Sequence, residues 1–503
     1  MEYDIIFISP EYFDHPLCGV AILKRLLEKK GYCVAVIETK KEEDVKKFGK
    51  PNLFFGVTSG SIDSMLRNNS ALNREREKDN VIHFKRTVPD RAVIVYSNWV
   101  RRYFKDSPIV IGGTESTLRR FTHYDYWSNS LRKSILFDSR ADILVYGNGE
   151  KQALEIANRL KNKKSLDGIE GTCIKRRSAP KDFIMLPSHE EVSDSKEKFC
   201  DMQNLFSNSE NLSQKTGEFY VLQYKYPEYT SKDLDEYYEM PFTRVIKDHP
   251  EMKGFEFSVV IHRGCIGSCN FCSLRWTSGD RIISRSEESI LRELKYITTL
   301  PHFKGNIDDF GGPSANMYGM DCPLEYTCKN KCLECKKLDR SNRRLIDLLR
   351  KARQIKGIKK IFVRSGIRYD LVSDEYLKDL VKYHISGKLK IAPEHISKAV
   401  LRLMNKDYGD LDDFIKRFKA LKCGELDFYF MTGHPGSSMK EAEELRKYIK
   451  GLKNAEKVQI FTPTPMTVST CMYYTRMDPK TKKPIYIPYT YSEKKLQKRI
   501  LYK

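Results

Sequence analysis

The chain has no apolar run near the ~20 residues that a membrane-crossing helix needs. Its first residues, MEYDIIFISP, carry no basic segment, and their apolar run is too short for a secretory signal. A cytoplasmic location without membrane partners is therefore expected. No G-x-G-x-x-G follows the first strand-like run, Ile5 to Ile8, so a nicotinamide cofactor is not indicated. There is no arginine-rich arm and no known RNA-binding module. Hydrophobic residues make up 40% and charged residues 31% of 503 residues, as in globular proteins, and this length asks for two or more domains.

The chain is rich in positive charge and in cysteine. Lys and Arg number 89 against 67 Asp and Glu, a net charge of +22. Such a field attracts polyanions, so RNA enters as an alternative partner. The basic residues are spread along the chain, however, which fits a lysine-rich surface better. Thirteen cysteines in a reducing compartment are not expected to form disulfides. Seven of them lie between 265 and 335, in two groups, which favours metal binding. Cys18, Cys33, Cys173, Cys200, Cys423 and Cys471 stand apart in sequence and are expected as buried apolar residues.

The element pattern predicts an α/β protein. Ile5–Ile8, Cys33–Ile37, Leu53–Val57, Ala92–Tyr96, Pro108–Ile111 and Ile143–Tyr146 read as buried parallel strands of an open N-terminal sheet. From Phe255 onward, six strand–helix units follow, which suggests a partial TIM-type (β/α)6 barrel with its functional residues at the strand C-terminal ends. The expected division is an N-terminal α/β domain over 1–175, an extended connector over 176–250, a core over 251–475 with a Cys-rich insertion at 314–340, and a basic C-terminal tail over 476–503.

Val259–Trp276, VVIHRGCIGSCNFCSLRW, organises the core. Cys265, Cys269 and Cys272 follow a β-branched run with the spacing C-x3-C-x2-C. A tight loop there can aim three thiolates at one spot, enough for three irons of a [4Fe–4S] cluster with the fourth iron open. A zinc site would need a fourth ligand, from His262 or a cysteine of the second group. The second group, Cys322, Cys328, Cys332 and Cys335, reads as a closed four-thiolate site for zinc or a second iron–sulfur cluster. His434-Pro435-Gly436 reads as a strand-to-helix turn, and Asp14-His15-Pro16 as a turn or a ligand-facing segment.

C-x3-C-x-Φ-C after a first strand, then Gly311-Gly312 after a second, resembles the radical S-adenosylmethionine superfamily. The closer resemblance is to the YgiQ-type radical SAM family, over nearly the whole chain. It rests on FDHP at 13–16, SNWVRRYFKDSPIVIGGTESTLRRFTHYDYW at 97–127, ADILVYGNGE at 141–150, MPFTR at 240–244, RGCIGSCNFC at 263–272, GGPSANMYGM at 311–320, SGIRYDL at 365–371, KIAPEHIS at 390–397 and TPTPMTVSTCMYYT at 462–475. Longer family members carry a basic, Pro-rich tail that this chain lacks after Lys503. The resemblance implies a [4Fe–4S] cluster on Cys265, Cys269 and Cys272, with S-adenosylmethionine on the open iron. It places Phe271 near the adenine, Gly311 and Gly312 at the methionine amino group, and Ser365, Glu394 and His395 at the ribose or carboxylate. It also implies a 5′-deoxyadenosyl radical, an electron donor of flavodoxin or ferredoxin type, and an unassigned substrate. RNA modification, as by the methylthiotransferases, is one alternative, and a non-catalytic RNA-binding protein that keeps metal sites for folding is another. The first domain's Gly112-Gly113 and Gly147-Asn148-Gly149-Glu150 resemble cobalamin-binding domains. The D-x-H-x-x-G signature of histidine-ligated cobalamin is absent, so an α/β domain without cobalamin is favoured and cobalamin stays as the alternative cofactor.

Overall fold

The computed structural model describes residues 2–76, 88–246, 249, 252–322, 328, 332–455 and 457–502. The chain divides into two compact units: unit 1 holds Met1–Asp14, Cys18–Glu228 and Thr462–Ile485, and unit 2 holds His15–Leu17, Tyr229–Phe461 and Tyr486–Lys503.

Unit 1 is built on a nine-stranded sheet. Its strands are β1 (Ile5–Ser9), β2 (Val34–Glu38), β3 (Phe54–Val57), β4 (Ile109–Ile111), β5 (Ile143–Val145), β6 (Thr172–Arg176), β7 (Ile184–Leu186), β8 (Leu212–Thr216) and β9 (Phe219–Gln223), in the order β2-β1-β3-β4-β5-β6-β9-β8-β7. The first five in that order pair in parallel. β1 is buried at every residue, as a central parallel strand covered on both faces must be. The helix Gly19–Lys29 that follows it buries Val20, Ala21, Ile22, Leu26 and Leu27.

Ala92–Tyr96, expected as a strand, lies in a helix that spans Ala92–Tyr103. Its β-branched residues suggested a strand, but Ala92, Val93, Tyr96 and Val100 are buried at helical spacing. The stretch expected as a connector carries β7, β8 and β9 and the helix Lys196–Leu205. β9 runs antiparallel to β6, so backbone pairing that composition does not reveal draws this polar segment into the sheet. Tyr473 and Tyr474 pack in unit 1 against Tyr124 and Tyr126.

Unit 2 carries the expected strand–helix units. Its parallel strands are β10 (Val259–Val260), β11 (Asn306–Ile307), β12 (Phe310–Gly311), β13 (Lys360–Ile361), β14 (Lys388–Glu394), β15 (Glu425–Thr432) and β16 (Lys457–Ile460). β11 and β12 are two parts of one strand position. β10 pairs with β12, β11 with β13, β14 with β15 and β15 with β16, and a bridge from Ile367 to Ile391 joins the third position to the fourth. Six positions in sequential, parallel order are those of a (β/α)6 partial barrel. Ile261, Ile307, Phe310, Ile361, Ile391, Phe428 and Phe430 form its core with the covering helices. The helix Glu287–Thr298 starts where Ser286 accepts from the Ser289 N–H and buries Ile290, Leu294 and Ile297. Ser438 and Glu441, three residues apart as the pattern requires, form a capping box. Residues 491–500, expected within a tail, form a helix whose Gln497 side chain accepts from Thr432 and the Gly433 N–H.

The first strand of unit 2 is anchored by buried charge. Arg244 and Arg285 clamp the Glu293 carboxylate, and the same guanidinium groups donate to the Ser258 and Val260 carbonyls at 2.8 and 3.0 Å. His15 Nε2 donates to the Glu256 carbonyl at 2.9 Å, so Asp14-His15-Pro16 is a structural turn. Among the described residues no helix is long and apolar enough to cross a membrane.

Candidate active site

The cysteine loop leaves β10 at its carboxyl end, and its shape depends on glycine. Gly264 has φ +82°, and a Cβ there would lie 1.6 Å from the Arg281 carbonyl oxygen. The Cys265 N–H donates to the Gly279 carbonyl at 3.1 Å. On its other side the loop is tied to the C-terminal end of the helix Lys398–Leu403. The Asn270 N–H and side chain donate to the Met404 and Leu403 carbonyls, both at 2.8 Å, and Asn405 donates to the Ser268 carbonyl at 2.9 Å. Fixing two sides of a short loop limits the orientations of the thiols it carries.

Those thiols are half-buried and face one another electrostatically. Burial raises Cys272 to about 12, with Cys269, Cys265 and Glu394 adding to the shift. Cys265 is also raised by burial and by Cys269, against the pull of Arg368 and Lys406. A cation bound there would reverse these shifts, because metal ligation favours thiolate. Among the described residues no three His, Cys, Asp or Glu side chains are gathered closely enough to hold a metal ion. The loop nevertheless offers three soft sulfur donors within eight residues, the donor set that iron–sulfur clusters take.

The following strands bring their expected residues to the same end of the barrel. A Cβ on Gly311 would lie 2.8 Å from the Ser365 Oγ, so the second and third positions meet there. The Ser365 hydroxyl donates to Asp309, whose other oxygen accepts from the Arg364 and Ser365 N–H groups at 2.7 and 3.1 Å. A Cβ on Gly312 would fall 2.5–2.8 Å from the His262 ring. That imidazole is buried, neither nitrogen has a hydrogen-bond partner, and burial lowers it to about 4.

Glu394 ends β14 with φ +68°, beyond a register shift that starts at Ile391. Such a conformation is strained for a residue with a side chain and recurs at functional sites. The carboxyl is buried and raised by that burial; Oε1 accepts from Lys406 at 3.3 Å, while Oε2 has no partner. Lys406 also lies 5.9 Å from the centre of the Phe271 ring. His395 accepts from the Ser397 N–H at Nδ1, leaves Nε2 unpartnered, and is lowered by burial to about 4. His434 bonds the Pro435 carbonyl through Nδ1 at 2.8 Å, as a turn histidine does, and its ring lies edge-on to Phe271 at 6.4 Å.

Cys332 shares an apolar bed with Cys265, made by Ile266, Ile282, Met317, Met320, Leu333 and Leu371. Burial raises Cys332, and Cys322 and Cys328 act on it in the same direction. Residues 323–327 and 329–331 of the expected insertion lie outside the described residues. Of the cysteines expected to be buried and isolated, Cys423 is exposed, and Cys200 and Cys471 meet at 3.9 Å in unit 1.

Sequence reasoning missed Asp309, Lys406, Asn405 and Arg368. Arg368 donates to the Cys269 sulfur at 3.7 Å and is paired with Asp370 at 2.8 and 3.0 Å. The adjacent opposite charges in SGIRYD were a usable signal for that pair. Nothing local points from Lys406 to Glu394.

Residues 1–259 match the family model described as radical SAM N-terminal, and residues 259–449 that of the radical SAM superfamily. A UPF0313 protein of Methanocaldococcus jannaschii is 43% identical, over 99% of this chain and 89% of its own length. One of Fusobacterium nucleatum is 40% identical, over 99% and 95%. The fold is similar to that of the radical S-adenosylmethionine methyltransferase TsrM of Kitasatospora setae, solved with cobalamin and a [4Fe–4S] cluster. The TM-score is 0.54 at 15% identity, covering 94% of this chain and 79% of that one. It is also similar to the cobalamin-dependent S-adenosylmethionine radical enzyme OxsB, with a TM-score of 0.53 at 12% identity, over 96% and 57%. At these identities the likeness is one of fold.

Proposed function

The chain belongs to the UPF0313 family of radical S-adenosylmethionine enzymes, and we propose that Cys265, Cys269 and Cys272 hold the [4Fe–4S] cluster that this chemistry uses. When bound there, the cluster with S-adenosylmethionine would supply the radical chemistry for hydrogen abstraction from a substrate. The chain's own residues bind and orient. Gly311 and Gly312 leave the backbone bare for the methionine amino group. Phe271, with Lys406 and His434 around it, offers a ring to the adenine. Glu394 and His395 present buried unpartnered atoms to the ribose or carboxylate, whereas Asp309 already engages Ser365. The observation that carries the reading is this convergence at one barrel end: thiols after the first strand, glycines after the second, and orphaned polar atoms after the fourth.

Radical SAM enzymes need an electron donor, here of flavodoxin or ferredoxin type in the cytoplasm. Cys322, Cys328, Cys332 and Cys335 form a separate thiolate site for zinc or a second cluster, supported by the action of Cys322 and Cys328 on the Cys332 thiol and by four cysteines within fourteen residues. Cobalamin is left out of the reading. In open α/β sheets ligands bind beyond the strand carboxyl ends, and there Glu11 is bonded to Arg67 at 2.8 Å while Tyr226 fills the space over Gly147.

The test is anaerobic reconstitution with iron and sulfide, then reduction with S-adenosylmethionine. 5′-Deoxyadenosine should form even without substrate, and its complete absence would sink the reading. Replacing Cys265, Cys269 and Cys272 together should remove one cluster and leave the metal of 322–335 in place.

A further inference from the structure

We propose that Arg368 is a positioning residue for the cluster: it orients the Cys269 sulfur by a direct hydrogen bond and makes the cluster easier to reduce. The inference rests on the assignment of Cys269 as a ligand and deepens it.

Three features hold the guanidinium at the sulfur. Asn316 fixes the backbone, accepting from the Arg368 N–H at 3.0 Å and donating to the Arg368 and Leu371 carbonyls at 2.9 and 3.1 Å. Asp370 grips the guanidinium through two hydrogen bonds, at 3.0 and 2.8 Å, and leaves Nη1 for the Cys269 sulfur at 3.7 Å. Gly267 makes the approach feasible, since a Cβ there would lie 2.5 Å from Arg368 Nη1 and 3.3 Å from the Cys265 sulfur. A surface arginine has no need of such a fit. Arg368 is buried to 8% exposure, and a buried charge is retained only where something uses or pairs it.

The consequence follows from charge. When the cluster takes up one electron from the donor, negative charge grows on its sulfurs. A fixed N–H donor on a cationic group bonds more strongly to the reduced form than to the oxidised form. Hydrogen bonds to the sulfurs are one of the levers that set cluster potentials. Asp370 offsets part of the positive charge at long range, but the Nη1–H dipole still points at sulfur.

The experiment is an anaerobic redox titration of the reconstituted full-length chain, followed by electron paramagnetic resonance without S-adenosylmethionine, so that no cofactor contact intervenes. Arg368→Gln should load the same iron and sulfide and shift the reduced-to-oxidised ratio about tenfold toward oxidised at fixed potential, about 59 mV for a one-electron couple. Arg368→Lys, which keeps the charge but not the fork, should lie between. Gly267→Ala, which keeps the arginine but displaces it, should shift in the same direction. A wild-type potential in either Arg368→Gln or Gly267→Ala, with the cluster loaded, overturns the proposal and leaves the ligand assignment intact. A Cys269→Ala chain that retains the full cluster signal overturns the ligand assignment and the proposal with it.

Discussion

The two units treat the carboxyl ends of their strands differently. In unit 1 the buried carboxylates there are paired, although Arg119 Nε and His123 Nε2 have no hydrogen-bond partner among the described residues. Glu11 accepts from the Ser61 N–H at 2.7 Å and from Arg67, Asp63 is bonded to Arg119, and Glu115 accepts from Ser64 and from the Val93 N–H at 3.0 Å. In unit 2, buried atoms of His262, Glu394 and His395 have no partner among the described residues. Desolvating a polar atom without a partner costs stability, so folding alone does not explain the second arrangement. Carboxylates bonded on every side describe a scaffold, and a buried carboxyl oxygen left open, as at Glu394, describes a place for a ligand.

Acid offers the largest test of this contrast. Burial lowers His262, His395 and His434 in unit 2 to about 4, 4 and 3, from 6.5. Between those values and 6.5 the unfolded chain binds more protons, so stability falls as pH drops below 6.5, by about 1.4 kcal/mol per pH unit for each histidine. Unit 1 has His123 at about 4 and His189 lowered as well. Glu394, raised by burial, contributes an opposing slope in unit 2. Hydrogen exchange on the metal-free chain at pH 7 and pH 5 should show unit 2 losing protection first; earlier loss in unit 1 would break the comparison.

Next in size is the closed network itself. Asp63→Ala removes the partner of Arg119 and the cap of the helix Ser64–Asn68, and should cost about 3–5 kcal/mol in urea unfolding. Glu394→Gln should change stability far less while weakening S-adenosylmethionine binding, measured by calorimetry on the reconstituted protein. Equal stability losses from the two would erase the distinction.

Gly312→Ala comes third. Its methyl group would meet the His262 ring, at about 1–3 kcal/mol of overpacking. Adding His262→Ala should recover much of that loss, and a double-mutant cycle reads the coupling directly. Purely additive effects would mean that the glycine serves some other purpose.

The smallest expected effect is none: titration of the purified chain with cobalamin should leave the visible spectrum of the corrin unchanged, because ion pairs fill the strand ends of unit 1. A spectral shift with saturation would reverse that reading of unit 1.

Much of this site was legible beforehand because it is locally written. The cysteine spacing, the paired glycines and the capping box at Ser438 each lie within a few residues, and alternation of β-branched runs with helical stripes marks the six barrel positions. Where local pattern and tertiary context compete, reading by pattern fails. Ala92–Tyr96 looks like a strand and is helical, and the polar stretch after 176 looks like a connector and supplies three strands.

The sequence by itself determined the family, the α/β class and the cysteines at the barrel mouth, because each depends on spacing along the chain. Only the tertiary structure decided which side chains surround them. Arg368 stands 99 residues from Cys269, Asn405 stands 137 from Ser268, and Cys471 stands 271 from Cys200. Contacts across such distances arise from strand order and helix packing, and no local period encodes them.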